Sequence, residues 1–233
     1  MQRLRPHRRL VAAVVALPTA VALLAGCGDS LYNASYSEPV EAWQHEGAGS
    51  HGGGSTADAA APFASGKIVN AAGAQIGTVS FAKAAAGTTV TVEAKDLTPG
   101  FHGLHVHAIG KCEPKSPDPK DPAKVGDFNS AGGHLAGTGT DHPTHAGDLP
   151  VLQVGKDGTG TLTATNEHLT QELLEDADGS SLVIHGGADN YANIPTRYAT
   201  AGPDAETKKA GDSGQRVACA VVEKVEATAG SGH

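Results

Sequence analysis

The sequence predicts an all-β fold, an immunoglobulin-like Greek-key sandwich or barrel of about eight antiparallel strands with two long functional loops. Short runs rich in β-branched residues follow Phe63, and glycine or proline lies between most of them. Aromatic residues make up only 4% of the chain, whereas glycine occurs 31 times. This composition is more typical of a turn-rich β domain than of a helical bundle. Because no clear helices separate the runs, antiparallel pairing is favoured.

The strand-like runs are, in chain order, GKIVNA, AQIGTVSFAK, TTVTVEAKDL, GFHGLHVHAI, GTGTLTATN, SSLVIHG and QRVACAVVEKVE. They leave two long segments without strand character, residues 110–150 and 186–213. Loops of that length in a compact domain are usually functional or disordered. Histidines or a cysteine border both segments, so we expect functional loops. One further segment, EHLTQELLED, fits either a helical turn or a polar loop.

The first 26 residues have the features of an export signal. MQRLRPHRRL contains four arginines and no acidic residue, and the apolar run after it is short and interrupted for a membrane span. The run ends in Leu24-Ala25-Gly26-Cys27, which is similar to the lipobox of bacterial lipoproteins. We therefore predict a signal peptide over residues 1–26, lipidation at Cys27, and an exported protein anchored to the outer face of the cell membrane. An ordinary secretory signal with a chance cysteine is the alternative.

The remainder of the chain divides by composition. Residues 27–62 are rich in Gly, Ala and Ser without a hydrophobic period, which is typical of a flexible tether. Within it, we expect His45 and His51 to be solvated rather than metal-binding. The folded domain is predicted over residues 63–226, and residues 227–233 are predicted to be disordered.

Charge and cysteine content limit the partners and the compartment. The net charge is −8, and it becomes −12 without residues 1–26, so no nucleic-acid partner is expected. Cys112 and Cys219 are the two cysteines of the predicted domain. In an exported protein such a pair is most simply a disulfide, with two buried thiols as the alternative.

Histidine is the unusual component, with 12 in the chain. Alternate residues of a strand point to the same face, so His105 and His107 present two imidazoles side by side while Val106 turns into the core. Two imidazoles at this spacing can chelate one ion, and imidazole suits Cu, Zn, Fe or Ni. Metal binding is favoured over solvated side chains because seven histidines fall within 84 residues: His102, His105, His107, His134, His142, His145 and His185.

Six motifs occur in one order: GFHGLHVH, a cysteine, SAGGH, H-x-GDLP, VIHGGAD and G-x-R-x-AC. Over residues 63–226 this pattern resembles the copper/zinc superoxide dismutases in their bacterial exported form. The resemblance implies an enzyme that converts superoxide into dioxygen and hydrogen peroxide at a copper site outside the cytoplasm, protecting against extracellular superoxide. A non-catalytic exported copper- or zinc-binding protein with the same fold is the alternative. A homodimer is compatible with the family, which also contains monomers.

The resemblance also assigns roles to individual residues. It implies four copper ligands, one of which bridges to zinc: His105, His107, the bridging His134, and His185. It implies a zinc set of His134, His142, His145 and Asp148.

Further roles follow from the same resemblance. Arg216 is implied to guide the anion to copper, and His134 to hand a proton to the departing peroxide. Asp189 is implied to link the two metal sites through their histidines. Cys112 and Cys219 match the family disulfide, and His102 matches a structural histidine. Lys208 and Lys209 are candidates for electrostatic steering of superoxide, with solvated loop lysines as the alternative.

The chain departs from the family in the zinc loop. His142 lies eight residues after His134 but only three before His145, so the loop is shorter than usual. Two arrangements stay open: His142 completes the zinc set, or it points away and leaves a weak or empty site. Some actinobacterial relatives are copper enzymes without zinc, and the short loop resembles theirs. We therefore expect copper, with zinc weak or absent.

Overall fold

The computed structural model describes residues 60–226. The predicted signal peptide, the lipidation site Cys27, His45, His51 and the tail at 227–233 lie outside these residues, as does the predicted tether up to residue 59. The first strand begins at Pro62, one residue before the predicted start of the domain. Among the helices of the described residues, none has the length and apolar character needed to cross a bilayer.

The described residues form twelve strands and three short helical segments. The strands are β1 Pro62–Asn70, β2 Gln75–Lys83, β3 Thr88–Ala94, β4 Gly100–His102, β5 Leu104–His107, β6 Ser116–Pro117, β7 Val125–Gly126, β8 Leu152–Val154, β9 Gly160–Asn166, β10 Ser181–His185, β11 Arg216–Val221 and β12 Glu223–Lys224. The helical segments are a 3₁₀ turn Asn129–Ala131, α1 Gln171–Leu174 and α2 Thr207–Ala210.

The main sheet is antiparallel, in the order β4-β8-β9-β3-β2-β1-β11-β10-β5, with β12 also pairing with β1. Its two ends, β4 and β5, are consecutive in the chain and separated only by Gly103, so the sheet curves into an almost closed barrel. β11 returns to lie beside β1 at the edge of the β1–β2–β3 meander, which is a Greek-key connection. The all-β prediction is therefore confirmed.

The strand count differs from the predicted eight for local reasons. The run GFHGLHVHAI divides at Gly103, where a Cβ atom would lie 2.5 Å from the Cβ of Ser213. β8 was not predicted because three residues are too few to show an alternating pattern. EHLTQELLED forms α1, whose first turn is capped by Thr170: its hydroxyl oxygen accepts from the Leu173 N–H.

The barrel interior is filled by alternate residues of its strands. In β3, for example, Val90 and Val92 are fully buried while Thr91 between them is only partly covered. Val106 of β5 belongs to the same core, as predicted, so its neighbours His105 and His107 must face the other side of the strand.

The two long loops lie beside the barrel, and the predicted disulfide Cys112–Cys219 joins the first of them to β11. Around it, Phe128, Ala131 and Val183 form a small second core. The first loop carries the β6–β7 hairpin, and the second carries α2. The disulfide therefore attaches a long segment of irregular backbone to a central strand.

Replacing both cysteines, as Cys112→Ser with Cys219→Ser, is expected to lower the free energy of unfolding. The disulfide spans 107 residues, and releasing a loop of that length costs about 4–5 kcal/mol through the entropy of the unfolded chain. Equilibrium denaturant unfolding of the metal-free protein measures the change. Reductant should destabilise the wild type similarly and leave the double variant unaffected. A variant as stable as the oxidised wild type would contradict the expectation.

Candidate metal centre

Backbone pairing at the free edge of β5 brings distant histidines together. The segment 133–149 of the first long loop runs along this edge: the Val106 N–H donates to the Gly147 carbonyl, and the Leu135 N–H donates to the Val106 carbonyl, both at 2.8 Å. Val106 makes both bonds, on the edge of β5 that does not pair with β10. The loop is therefore held against β5 as an irregular extra strand.

The pairing sets which residues face each other. His107 lies opposite His134, and His105 lies opposite Asp148. On the other edge of β5, β10 pairs so that Val183 faces His105 and β10 ends in His185. The H-x-H pair of β5 thus stands between ligand candidates from both neighbouring segments.

The four predicted copper ligands converge into what we call the four-histidine cluster: His105, His107, His134 and His185. One ring nitrogen from each lies within 4.8 Å of the others. Ring centroids are 4.0 Å apart for His105 and His134, and 4.8 Å apart for His105 and His185. The structure therefore brings together all four residues that the sequence selected.

The hydrogen bonding of the ring nitrogens shows whether a metal fits this cluster. In each cluster residue, a buried nitrogen has no hydrogen-bond partner: His105 Nδ1, and Nε2 of His107, His134 and His185. The second ring nitrogen of each histidine has a hydrogen-bond partner. His107 Nδ1 donates to the Gly132 carbonyl at 2.9 Å, and His185 Nδ1 donates to the Gly214 carbonyl at 3.1 Å. Such second contacts fix the tautomer and leave a lone pair for a metal. The donor set fits copper.

A second group, the mixed cluster, surrounds the Asp148 carboxylate and consists of His134, His142, His145 and Asp148. Asp148 Oδ1 lies 2.7 Å from His134 Nδ1 and 2.9 Å from His142 Nδ1, while Oδ2 lies 3.1 Å from His145 Nδ1. Three imidazoles and one carboxylate are a donor set that suits zinc. His105 also approaches this group: its donor atom lies within 4.8 Å of those of His134, His142 and Asp148.

The two arrangements that the sequence left open differ in where the His142 side chain points. Its Nε2 donates to Asp189 Oδ1 at 2.8 Å, while Oδ2 of the same carboxylate lies 2.8 Å from His105 Nε2. Nδ1 of His142 therefore faces Asp148, and the side chain does not point away. The shortened loop closes the mixed cluster, and Asp189 links the two clusters as the resemblance implied.

The imidazoles of the two clusters differ in the direction of their pKa shifts. Burial lowers the pKa of His105, His107 and His185, and it lowers the pKa of His134 to about 4. These rings are neutral at neutral pH and can offer lone pairs. Burial also lowers the pKa of His142, but hydrogen bonds and charge from Asp148 and Asp189 outweigh it and raise that pKa to about 9.

Both carboxyl groups stay ionised. Burial alone would raise the pKa of Asp148 and of Asp189, but hydrogen bonds from the surrounding imidazoles hold both pKa values well below the usual range. The Asp148 carboxylate is therefore available as an ionised ligand at any pH near neutral, although a protonated His142 offsets its charge in the metal-free site.

Arg216 stands at the start of β11 beside the four-histidine cluster. Its guanidinium donates through Nη1 to the Phe128 carbonyl and through Nη2 to the Gly132 carbonyl, both at 2.6 Å. The Gly132 carbonyl also accepts from His107, so one peptide orients a predicted ligand and the arginine together. After burial and the neighbouring imidazoles, the charge of Arg216 further lowers the pKa of His107 and His185.

The two lysine candidates for steering do not line the groove beside Arg216. Beside Arg216 is a groove of about 460 Å³, lined by Lys115, Val125, Gly126, Asp127, Asn129, Gly214, Gln215 and Arg216. Lys208 and Lys209 are not among these residues; Lys208 Nζ lies 4.0 Å from Asp141, and Lys209 pairs with Glu206.

Sequence reasoning missed Lys115 as a charged residue of the groove. It lies three residues after Cys112, and Arg216 lies three before Cys219, so the disulfide itself signals their proximity. His102 lies outside both clusters, with its ring nitrogens 2.6 Å from the His185 carbonyl and 2.8 Å from the Thr98 carbonyl.

Comparison with known proteins gives one consistent family. The family model described as copper/zinc superoxide dismutase (SODC) matches residues 75–222. The chain is 45% identical over 179 residues to the Cu-Zn superoxide dismutase of Mycolicibacterium paratuberculosis, covering 73% of this chain and 78% of that one. It is 44% identical over 158 residues to that of Mycobacterium tuberculosis, covering 64% of this chain and 65% of the relative, just under two thirds.

Comparison with solved structures points to the same family. The Cu/Zn superoxide dismutase from Brucella abortus is 32% identical with a TM-score of 0.51, covering 68% of this chain and 98% of that chain. A SOD-like protein from Bacillus subtilis is 28% identical with a TM-score of 0.50, covering 67% of this chain and 95% of that chain.

Zinc binding at the mixed cluster of the copper-loaded protein is expected to displace the extra proton of His142. With a pKa of about 9 in the metal-free site, His142 is protonated at pH 7. Metal must compete with that proton, so the apparent affinity rises by about tenfold per pH unit and levels off near the pKa. Calorimetry in buffers of different ionisation enthalpy counts the protons released.

The matched control is His142→Gln, which removes the titrating group. At pH 7 the wild type should release about one proton more than the variant, a difference that shrinks as the pH approaches that pKa. Equal proton release from the two proteins at pH 7 would show that His142 is not protonated in the empty site.

Proposed function

Because the chain belongs to the copper/zinc superoxide dismutase family, we propose that it converts two superoxide anions and two protons into dioxygen and hydrogen peroxide. The observation that carries this proposal is the four-histidine cluster, whose inward ring nitrogens are buried and without hydrogen-bond partners beside a positively charged guanidinium. A non-catalytic metal-binding protein would have no need of Arg216 at this position.

Two ions are assigned to the two clusters. The four-histidine cluster is proposed to hold copper, which supplies the one-electron redox couple that zinc, with its filled d shell, does not have. The mixed cluster is proposed to hold zinc through His134, His142, His145 and Asp148. His134 belongs to both, with Nε2 on the copper side and Nδ1 on the side of Asp148.

His134 is the proposed proton donor. Its Nε2 faces the four-histidine cluster, where the substrate would approach, while its Nδ1 lies 2.7 Å from Asp148. In the metal-free site, burial lowers its pKa to about 4, so a proton added to this ring is held less tightly there than on a solvated histidine. Nε2 would carry a proton only while it is not bound to copper, and from there it could pass that proton to a departing peroxide.

Arg216 is the proposed anion guide. With a net charge of −12 after removal of residues 1–26, the protein as a whole repels superoxide, so local positive charge must attract it. A focused field can raise an on-rate by about 10- to 1,000-fold. Steering by Lys208 and Lys209 stays a prediction, and their acidic neighbours Asp141 and Glu206 reduce their net charge.

Export and lipid anchoring are also proposed. The Leu24-Ala25-Gly26-Cys27 motif supports lipidation at Cys27, and the disulfide supports an oxidising compartment. The substrate would then be superoxide outside the cytoplasm. A homodimer stays a prediction, for which analytical ultracentrifugation is the measurement.

Metal content and superoxide dismutation measured on the same sample test the proposed function. About one copper per chain together with rapid dismutation would support it. Copper at that level without dismutation would overturn it in favour of a metal-binding protein without turnover.

Arg216→Ala is expected to retain copper and to lower kcat/KM for superoxide several-fold, since the guiding charge is lost while all four histidines remain. The dependence of the rate on ionic strength should weaken at the same time. Stopped-flow dismutation at several salt concentrations, with metal analysis, measures both effects. Arg197→Ala is the matched control, because Arg197 is exposed and lies over the ring of Tyr198. An unchanged rate and salt slope for Arg216→Ala would exclude steering by this residue.

Cys27→Ser in the full chain is expected to release the protein from the membrane fraction, because the anchor requires the thiol. Fractionation with a high-salt wash distinguishes lipid anchoring from electrostatic adsorption. Retention of the variant in the washed membranes would contradict the lipidation site.

A further inference from the structure

His142 receives little support from its own loop. The residue is only 2% exposed, although Asp141, Pro143 and Thr144 around it are exposed. Apart from the cluster ligands, its contacts come from the second long loop. Its N–H donates to the Lys208 carbonyl at 2.9 Å, and its Nε2 donates to Asp189. The second loop therefore determines where this imidazole points.

One residue of the second loop lies against the face of His142. The ring of Tyr191 is nearly parallel to the imidazole, at an angle of 9° with the centroids 6.1 Å apart, an offset-stacked geometry. The hydrogen bond to Asp189 fixes one ring atom of His142 but does not by itself prevent rotation of the ring about that bond. A flat aromatic face beside the ring limits that rotation.

Tyr191 is itself held by two hydrogen bonds. Its backbone N–H donates to Asp189 Oδ1 at 2.7 Å, and its hydroxyl accepts from the Val151 N–H at 2.9 Å. Its φ of +53°, followed by the same value at Ala192, is a left-handed conformation that bulky residues rarely adopt. Val151 lies three residues after Asp148 in the chain. Tyr191 therefore contacts both the carboxylate that orients His142 and the segment that carries Asp148.

The backbone also leaves little room beside Nε2 of His142. A Cβ atom at Gly211 would collide with Asp189 Oδ1 and would lie 2.8 Å from His142 Nε2. The edge of the imidazole is thus closed by Gly211, and one face is covered by Tyr191.

We propose that Tyr191 is a positioning residue of the mixed cluster. It holds His142 with Nδ1 directed at Asp148 and thereby sets the affinity of this cluster for its metal. The support that the shortened first loop cannot give to His142 comes from the second loop instead. This inference rests on the proposed second metal, and it concerns the mixed cluster alone.

The two clusters should respond differently to a change at Tyr191. The bond from the Tyr191 N–H to Asp189 is made by the backbone, so it remains after a side-chain substitution. Asp189 therefore continues to orient His105, and the four-histidine cluster is unaffected. Loss of the ring or the hydroxyl acts only on His142 and on Val151.

The experiment compares Tyr191→Phe and Tyr191→Leu with wild type, all loaded with copper. Chelator competition measures the zinc affinity, and the absorption spectrum of Co²⁺ added in place of zinc reports the geometry of the mixed cluster. Tyr191→Phe keeps the stacked ring but leaves the Val151 N–H unpaired. Loss of a group that orients a ligand costs about 10- to 100-fold in metal affinity. We expect the lower end for Tyr191→Phe, the upper end for Tyr191→Leu, and an altered Co²⁺ spectrum for Tyr191→Leu.

Tyr198→Phe is the matched control, because Tyr198 lies in the same loop and is 76% exposed. It should bind zinc as the wild type does. Thermal unfolding of the metal-free proteins and their copper affinity identify general damage to the fold.

The outcomes are distinct. Wild type that binds copper but neither zinc nor Co²⁺ would overturn the second metal site, and the inference with it. Wild-type zinc affinity in Tyr191→Leu would overturn the inference alone. An equal loss of copper and zinc affinity would show a structural role for Tyr191 and would also overturn it.

Discussion

The two clusters depend on one carboxylate. Asp189 binds His105 through one oxygen and His142 through the other, and it accepts the Tyr191 N–H as well. These bonds connect β5, the first long loop and the second long loop at a single buried point. Without this carboxylate, His105 would lose its orienting contact in the four-histidine cluster and His142 would lose the bond that turns it inward.

Holding this arrangement without metal is energetically unfavourable, which explains the rigid scaffold around it. In the four-histidine cluster, four buried ring nitrogens have no hydrogen-bond partner, and each such group costs about 1–3 kcal/mol. A domain of ordinary stability has only about 5–15 kcal/mol in total. The closed barrel and the disulfide stabilise the fold against this cost, and metal binding would satisfy the same nitrogens.

The long loops have separate tasks. The first loop contributes ligand candidates because it pairs with the edge of β5, and its Phe128 and Gly132 carbonyls hold Arg216. The second loop contributes supports rather than ligand candidates, through Asp189, Tyr191 and the Lys208 carbonyl. The disulfide connects the first loop to β11, the strand that begins with Arg216. The shortened stretch from His134 to His145 in the first long loop is therefore compatible with a mixed cluster that includes His142.

Three features could be predicted from the sequence: the strand alternation that sets His105 and His107 side by side, the order of the motifs, and the cysteine pair. These features are local, or they are carried by residue types that only a few chemistries combine. Tertiary structure alone decided the direction of His142, the proximity of Lys115 to Arg216, and the stacking of Tyr191 on His142. A strand has a period of two residues that fixes where each side chain points, but an irregular loop has none. The direction of a loop side chain depends on hydrogen bonds to residues far away in the chain, such as the 2.8 Å bond from His142 to Asp189.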